Sequence, residues 1–238
     1  VAVTGSLAAN KLANIAGTGL TKITIGGDQN FTMSGASAIK TIDAGANTGK
    51  TSLVLAANAA HVVTLGSGDD TLDVGTTMGA GDKIQGGAGT DTILINAAGT
   101  INGGATAADL TAEFLQSGGF EVIDIASTND AATLALKNIA GVETVKAASN
   151  QLTVVLDANA GDTAKVTNST AITGTLNGNA ITTAATDGSA TSGEAAVLLK
   201  TQIDAITGFS AAVTGATIVI TNTTSAERVD FALTAAHT

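Results

Sequence analysis

Gly and Asp recur in one stretch of this chain at a spacing that can hold a cation. Gly86-Gly87-Ala88-Gly89-Thr90-Asp91-Thr92-Ile93-Leu94 reads Gly-Gly-x-Gly-x-Asp-x-apolar-x. Twenty-one residues earlier, Leu65-Gly66-Ser67-Gly68-Asp69-Asp70-Thr71-Leu72-Asp73 fits the same frame, with Leu65 in place of the first Gly. Between them, Gly79-Ala80-Gly81-Asp82-Lys83-Ile84 is a third copy with one residue deleted. Glycine turns tightly because it reaches positive φ without a Cβ penalty, and its bare backbone lets carbonyl oxygens converge. Asp adds a carboxylate. Ca²⁺ takes roughly six to eight oxygens in a flexible shell, so carbonyls and Asp from two stacked turns can close one site.

The residues after each Asp form a short strand whose apolar member, Leu72, Ile84 or Ile93, points inward. With alternate half-repeats on the same side, the turn at Gly66–Asp70 stacks on the turn at Gly87–Asp91. Asp70 and Asp91 are then candidate calcium ligands, with the carbonyls of Gly66, Gly68, Gly87 and Gly89. Asp82 is a further candidate on the opposite side, where no partner turn is visible. The alternative is a set of Gly-Asp turns in an ordinary β-protein that holds no metal.

The elements that position these turns follow from punctuation. From Leu20 onward, short alternating stretches (20–25, 30–34, 39–44, 52–55 and 62–65) are each cut by Gly, Asn, Asp or Ser. That rhythm predicts a solenoid with one short strand per face. The turn at Gly26-Gly27-Asp28 lacks the second Gly of the motif and reads as structural. Residues 7–15 read as one short helix or as the edge of the first coil. After Ile95 the rhythm breaks, and 107–115 reads as a short helix on a loop. Strands resume at 120–125, 134–136, 142–145 and 152–156. From about Gly161 the grammar changes: an Asn-Gly hairpin at 173–181, a helix over 192–206 with apolar residues at 3-4 spacing, a hairpin at 209–221 and a last strand at 229–233. The expected architecture is therefore a parallel β-solenoid or β-roll over 1–160, followed by a small α+β module (ββ-α-ββ) over 161–238.

Composition bounds the rest. The chain of 238 residues has no Cys, Pro, Trp or Tyr, and its apolar residues are mostly Ala, Val, Ile and Leu. Small side chains suit thin, closely stacked layers. A net charge of −10 leaves no basic patch for phosphate, which argues against nucleic acid. Zero Cys excludes disulfides and thiol chemistry. No stretch reaches the ~18 apolar residues of a membrane span. The opening VAVTGSLAANKL has neither the basic start nor the apolar run of a secretory signal, and the missing first Met suggests a processed or trimmed piece of a longer chain.

The calcium repeat, the Ala/Thr-rich and Cys-free composition, and the phrases Gly119-Phe120-Glu121-Val122-Ile123-Asp124-Ile125 and Gly141-Val142-Glu143-Thr144-Val145 resemble bacterial repeats-in-toxin proteins, in particular their surface-layer branch. The resemblance is compositional over 20–160 and reaches the level of a motif over 65–95. It implies type I secretion, calcium-dependent folding outside the cell, and assembly into a cell-surface lattice. The array here is much shorter than the family's. The C-terminal layout is similar to small helix-and-hairpin modules of flagellar, phage-tail and adhesin proteins.

Enzymatic chemistry is not legible. There is no HExxH, no Gly-x-Ser-x-Gly elbow with a His partner, no P-loop and no dinucleotide fingerprint. Polysaccharide lyases and glycosidases need two facing carboxylates and usually aromatic or basic sugar contacts, in which this chain is poor. His61 reads as solvated or packed, and His237 lies at the chain end. The expectation is a structural, non-enzymatic protein of the bacterial cell surface. Its partners would be copies of itself and cell-surface polysaccharide. The alternatives are a binding module of an adhesin or phage tail, and the non-catalytic part of an exported enzyme.

Overall fold

Apolar and polar residues that alternate over a few positions, then meet Gly, Asn or Asp, make short half-buried strands. The computed structural model describes residues 2–5, 10–13, 19–34, 39–55, 61–74, 82–95, 119–125, 133–135, 144–148, 150–155, 171–185, 192–224 and 228–233. Over these residues the protein is mainly β with one helix. The chain divides into two compact units, Val1–Ala126 and Ser127–Thr238.

In the first unit, β1 (Ala2–Gly5), β3 (Lys22–Gly27), β5 (Thr41–Asn47), β7 (Val62–Thr64) and β9 (Lys83–Gln85) neighbour one another in that order. A second row runs β2 (Asn10–Ala13), β4 (Phe31–Ser34), β6 (Thr51–Val54), β8 (Thr71–Asp73), β10 (Thr92–Ile95) and β11 (Val122–Ile125). The pairings in both rows are parallel. Ile23, Ile42, Val63 and Ile84 stand side by side in one sheet. Met33, Leu53, Leu72, Ile93 and Ile123 do so in the other. All nine are buried, including the three residues expected to point inward. The first unit is a parallel β-solenoid, and its core is a set of stacked rows in which each residue packs on one of its own kind. Each such burial contributes roughly 1.5–3 kcal/mol. Of the two readings for 7–15, the edge strand is found, as β2. The expected helix over 107–115 lies outside the described residues.

Along one corner of the solenoid the turns sit directly on each other. The amides of Thr48, Ser67 and Ala88 donate to the carbonyls of Gly27, Asn47 and Gly66, at 2.8, 3.1 and 3.0 Å. A Cβ on Gly66 would collide with the Asn47 carbonyl oxygen, and one on Gly87 with that of Gly66. On Gly68 it would lie 2.7 Å from the Gly49 oxygen, and on Gly89 2.6 Å from that of Gly68. Gly87 and Gly89 also need φ of 106° and 122°. The motif glycines are thus explained by backbone packed on backbone.

The second unit has β12 (Thr133–Ala135), β13 (Thr144–Ala147), β14 (Gln151–Val155), β15 (Ala171–Leu176), β16 (Asn179–Ala185), helix α1 (Ser192–Asp204), β17 (Phe209–Thr214), β18 (Thr217–Asn222) and β19 (Val229–Leu233). β12 and β14 keep the parallel habit, but β14 pairs antiparallel with β18, and β13 with β19. Sequence placed the change of grammar at 160/161, whereas the compact units meet at 126/127. The antiparallel pairs account for the difference, because they tie 144–155 to strands near the chain end. The Asn-Gly hairpin forms as read, with Asn177 at φ 46° and Gly178 at φ 78° joining β15 to β16. Ala195, Ala196, Leu199 and Ile203 bury one face of α1, which packs on β16, β17 and β18. The helix stops at Asp204, which accepts from Lys200 one turn back and from the amide of Ala211 at 2.7 Å. The Lys200 ammonium beside it holds its carboxyl below the usual range.

Close stacking makes a direct prediction. Gly66→Ala introduces a steric clash without a φ penalty and should cost about 3 kcal/mol in urea denaturation. At Gly19 a Cβ would meet nothing within 4 Å, and Gly19→Ala should change stability by less than about 1 kcal/mol.

Candidate metal centre

Each strand of the second sheet is entered through a residue at the same register position. Because Ser52 pairs with Thr71, Thr71 with Thr92 and Thr92 with Val122, the residues just before them (Thr51, Asp70, Asp91 and Glu121) form one column. The column is bound by a repeated contact. Asp70 Oδ1 accepts the amide of Thr51 at 2.6 Å, Asp91 Oδ1 accepts that of Asp70 at 2.8 Å, and Glu121 Oε2 accepts that of Asp91 at 2.7 Å. Each carboxylate caps the backbone one coil earlier. Asp70 and Asp91 are 1% and 0% exposed, so these charge-assisted bonds act where water cannot compete. On the turn surface the contact runs the other way: exposed Asp69 accepts the amide of Thr90, one coil later, at 2.9 Å.

The carboxylates of the column are not equivalent. Asp70 uses both oxygens, since Oδ2 accepts the amide of Gly66 at 3.0 Å. The Gly66 carbonyl already accepts from Ala88, and that of Gly68 faces the α-carbon of Gly89. Asp91 uses only Oδ1; its buried Oδ2 has no hydrogen-bond partner. Burial pushes Asp91 up to about 7, against the lowering effect of the Asp70 amide and with further upward pushes from the charges of Asp70, Glu121 and Asp69. Burial also raises Asp70, but the amides of Thr51 and Gly66 oppose it. Of the carboxylates expected to bind calcium in the stacked turns, Asp91 is the one with an oxygen to offer.

Asp82 lies on the other sheet, as expected, but it has a partner. Its Oδ1 accepts the amide of His61 at 2.5 Å and faces His61 Nδ1 at 3.1 Å, with both residues buried. His61 is therefore a packed histidine whose Nε2 has no hydrogen-bond partner. Its separation from Asp82 is one coil, the same 21 residues that relate Asp70 to Asp91. That spacing was available in the sequence as a signal for the pair. Glu121 was the harder member of its column to find, because the 30-residue interval from Asp91 breaks the period.

A test of fit to calcium gives a mixed set of donors. Among the described residues, no group of three or more acidic or histidine side chains could hold a metal ion by itself. A site here would have to combine carboxylates with backbone carbonyls, which is chemistry that calcium accepts. The buried, unpartnered Oδ2 of Asp91 amid three acidic neighbours fits a cation better than the carboxylate of Asp70, both of whose oxygens already accept amides. In comparisons with known proteins, no family model matches the chain, and neither a curated protein nor a solved structure matches it significantly.

The raised Asp91 sets a pH dependence. The folded group titrates near 7, against about 4 when unfolded. Between those values the folded chain keeps a proton that the unfolded chain has lost, so stability falls as pH rises from about 4 to 7. With chelator present, the melting temperature should be higher at pH 5 than at pH 8 by roughly 5 °C. Asp91→Asn keeps an acceptor for the Asp70 amide and removes the charge, so it should flatten that slope.

Proposed function

We propose that this chain is a structural protein of the bacterial cell surface, a calcium-stabilised solenoid unit followed by a small α+β unit, which assembles with copies of itself into a lattice or filament. The observation that carries the reading is the column Thr51–Asp70–Asp91–Glu121. Carboxylates one coil apart, about 4.8 Å in a parallel sheet, repel one another when all are ionised. Calcium, when bound, supplies the positive charge that offsets this repulsion. Asp91 would hold it, with backbone carbonyls completing the set. Near neutral pH the ionised column opposes folding, and outside a cell, where calcium is abundant, it does not. Affinities of roughly 10⁻⁴–10⁻³ M suit such a site.

Self-assembly draws its support from the sheet edges. Among the described residues, no strand lies beyond β1 or β2, which end their sheets at the same coil. An open parallel edge is a template for another strand. No helix of the described residues is long and apolar enough to cross a membrane.

A second reading is a glycan-binding module of an adhesin. Thr32, Ser52, Thr71 and Thr92 stand in register across the outer face of β4, β6, β8 and β10, a row of hydroxyls at one-coil spacing. Calcium titration of the purified chain, followed by circular dichroism and negative-stain microscopy, separates the two. A rise in melting temperature together with ordered sheets or filaments near millimolar calcium, reversed by chelator, is the expected result. A calcium-stabilised chain that stays monomeric would favour the adhesin. A chain whose fold and assembly are both indifferent to calcium would refute the proposal.

A further inference from the structure

The stacked repeats at 65–73 and 86–94 suggest a cation between their two turns. The atoms point one coil further along. Asp91 Oδ2 has no hydrogen-bond partner, whereas both oxygens of Asp70, in the Gly66–Asp70 turn, accept amides. The Asp91 oxygen faces the α-carbon of Gly86: a Cβ there would lie 2.7 Å from Asp91 Oδ2 and would collide with the carbonyl oxygen of Gly119. Two oxygens, one from a buried carboxylate and one from a backbone carbonyl, therefore converge on the same glycine. Asp91 Oδ2 has no donor there. Gly119 adopts φ 76°, a conformation that L side chains rarely take, and so directs its carbonyl into this corner. Two residues later, Glu121 brings a second carboxylate, anchored through Oε2 on the Asp91 amide.

We propose that Asp91, the Gly119 carbonyl and Glu121 form a divalent-cation site between the turn of the last Gly-Asp repeat and the coil of 119–125, not between the two repeats. Gly86 is required because any side chain would fill the approach to both oxygens. Glu121 and Gly119 belong to no copy of the repeat, so the site joins a repeat-encoded ligand to residues outside the repeats. Cation binding there fastens β11 onto β10. The inference rests on the calcium reading and narrows it to these residues.

Two measurements on the full chain test it. In calorimetric titration with Ca²⁺, Glu121→Gln, which keeps an acceptor for the Asp91 amide, should weaken binding about tenfold or more, as loss of one ligand charge does in oxygen-donor sites. Asp43→Asn, an exposed change at a surface ion pair with Lys22, should leave it unchanged. Mn²⁺, which shares calcium's oxygen donors, should broaden the amide resonances of Gly86, Gly119 and Glu121 before those of Gly66 and Gly68. Broadening centred on Gly66 and Gly68, with Glu121→Gln binding as the parent does, would overturn this placement and leave the calcium reading intact. Absence of saturable Ca²⁺ binding to the folded chain would overturn both.

Discussion

Everything in the first unit depends on one hydrogen bond made repeatedly: a carboxylate oxygen of one coil accepting the backbone amide at the strand entrance of the coil before. The motif turns are stacked so closely that their glycine α-carbons meet carbonyl oxygens of the neighbouring turn. Such packing excludes water from the corner, and buried amides without acceptors cost about 1–3 kcal/mol each. Asp70, Asp91 and Glu121 supply the acceptors at Thr51, Asp70 and Asp91, and Asp82 does the same for His61 on the other sheet. The Gly-rich turn and the Asp that follows it are therefore one device. Glycine permits the approach, and Asp satisfies the amide that the approach leaves dry.

The same device creates its own electrostatic difficulty. A column with an acidic residue on successive coils gathers negative charge in a place of low polarity. Where both carboxylate oxygens meet amide donors, as at Asp70, the charge is partly compensated. Asp91 meets only one donor and has acidic neighbours on both sides, so either a proton or a cation must complete it. This is the local geometry on which the proposed calcium response rests. In the proposed role, the ion decides whether this rung holds near neutral pH. Among its described residues, the second unit has no such column. Its antiparallel sheets and α1 are built on ordinary apolar burial at Leu199, Ile203, Ile218, Ile220 and Phe231.

Local features were legible in the sequence. Alternation and Gly-Asp punctuation gave the solenoid strands, and their period of about one coil stacked the turn of Asp70 on that of Asp91. Asn177-Gly178 marked its hairpin because type I′ turns need positive φ at both positions. The apolar spacing from Ala195 to Ile203 marked the helix. What sequence did not yield depends on partners distant along the chain. Glu121 joins the column only after an interval that breaks the period, and nothing local tells it from a surface carboxylate. β13 and β14 look like further coils, yet pair with β19 and β18, more than sixty residues away. The partner of each carboxylate was also hidden. A motif shows where an Asp stands but not whether its oxygens are spent on N–H groups or left for a metal, and Asp70 and Asp91, identical in the repeat, differ in that respect.

The most direct test of the carboxylate-to-amide column is hydrogen exchange of individual backbone amides, followed by NMR with chelator present. The amides of Thr51 and Asp70 should exchange as slowly as those of Leu53 and Leu72 in the adjoining strands, although each lies outside or at the very start of its strand. Exchange of these amides at the rate of unprotected amides would mean that the carboxylates do not hold the coils together, and would contradict the account.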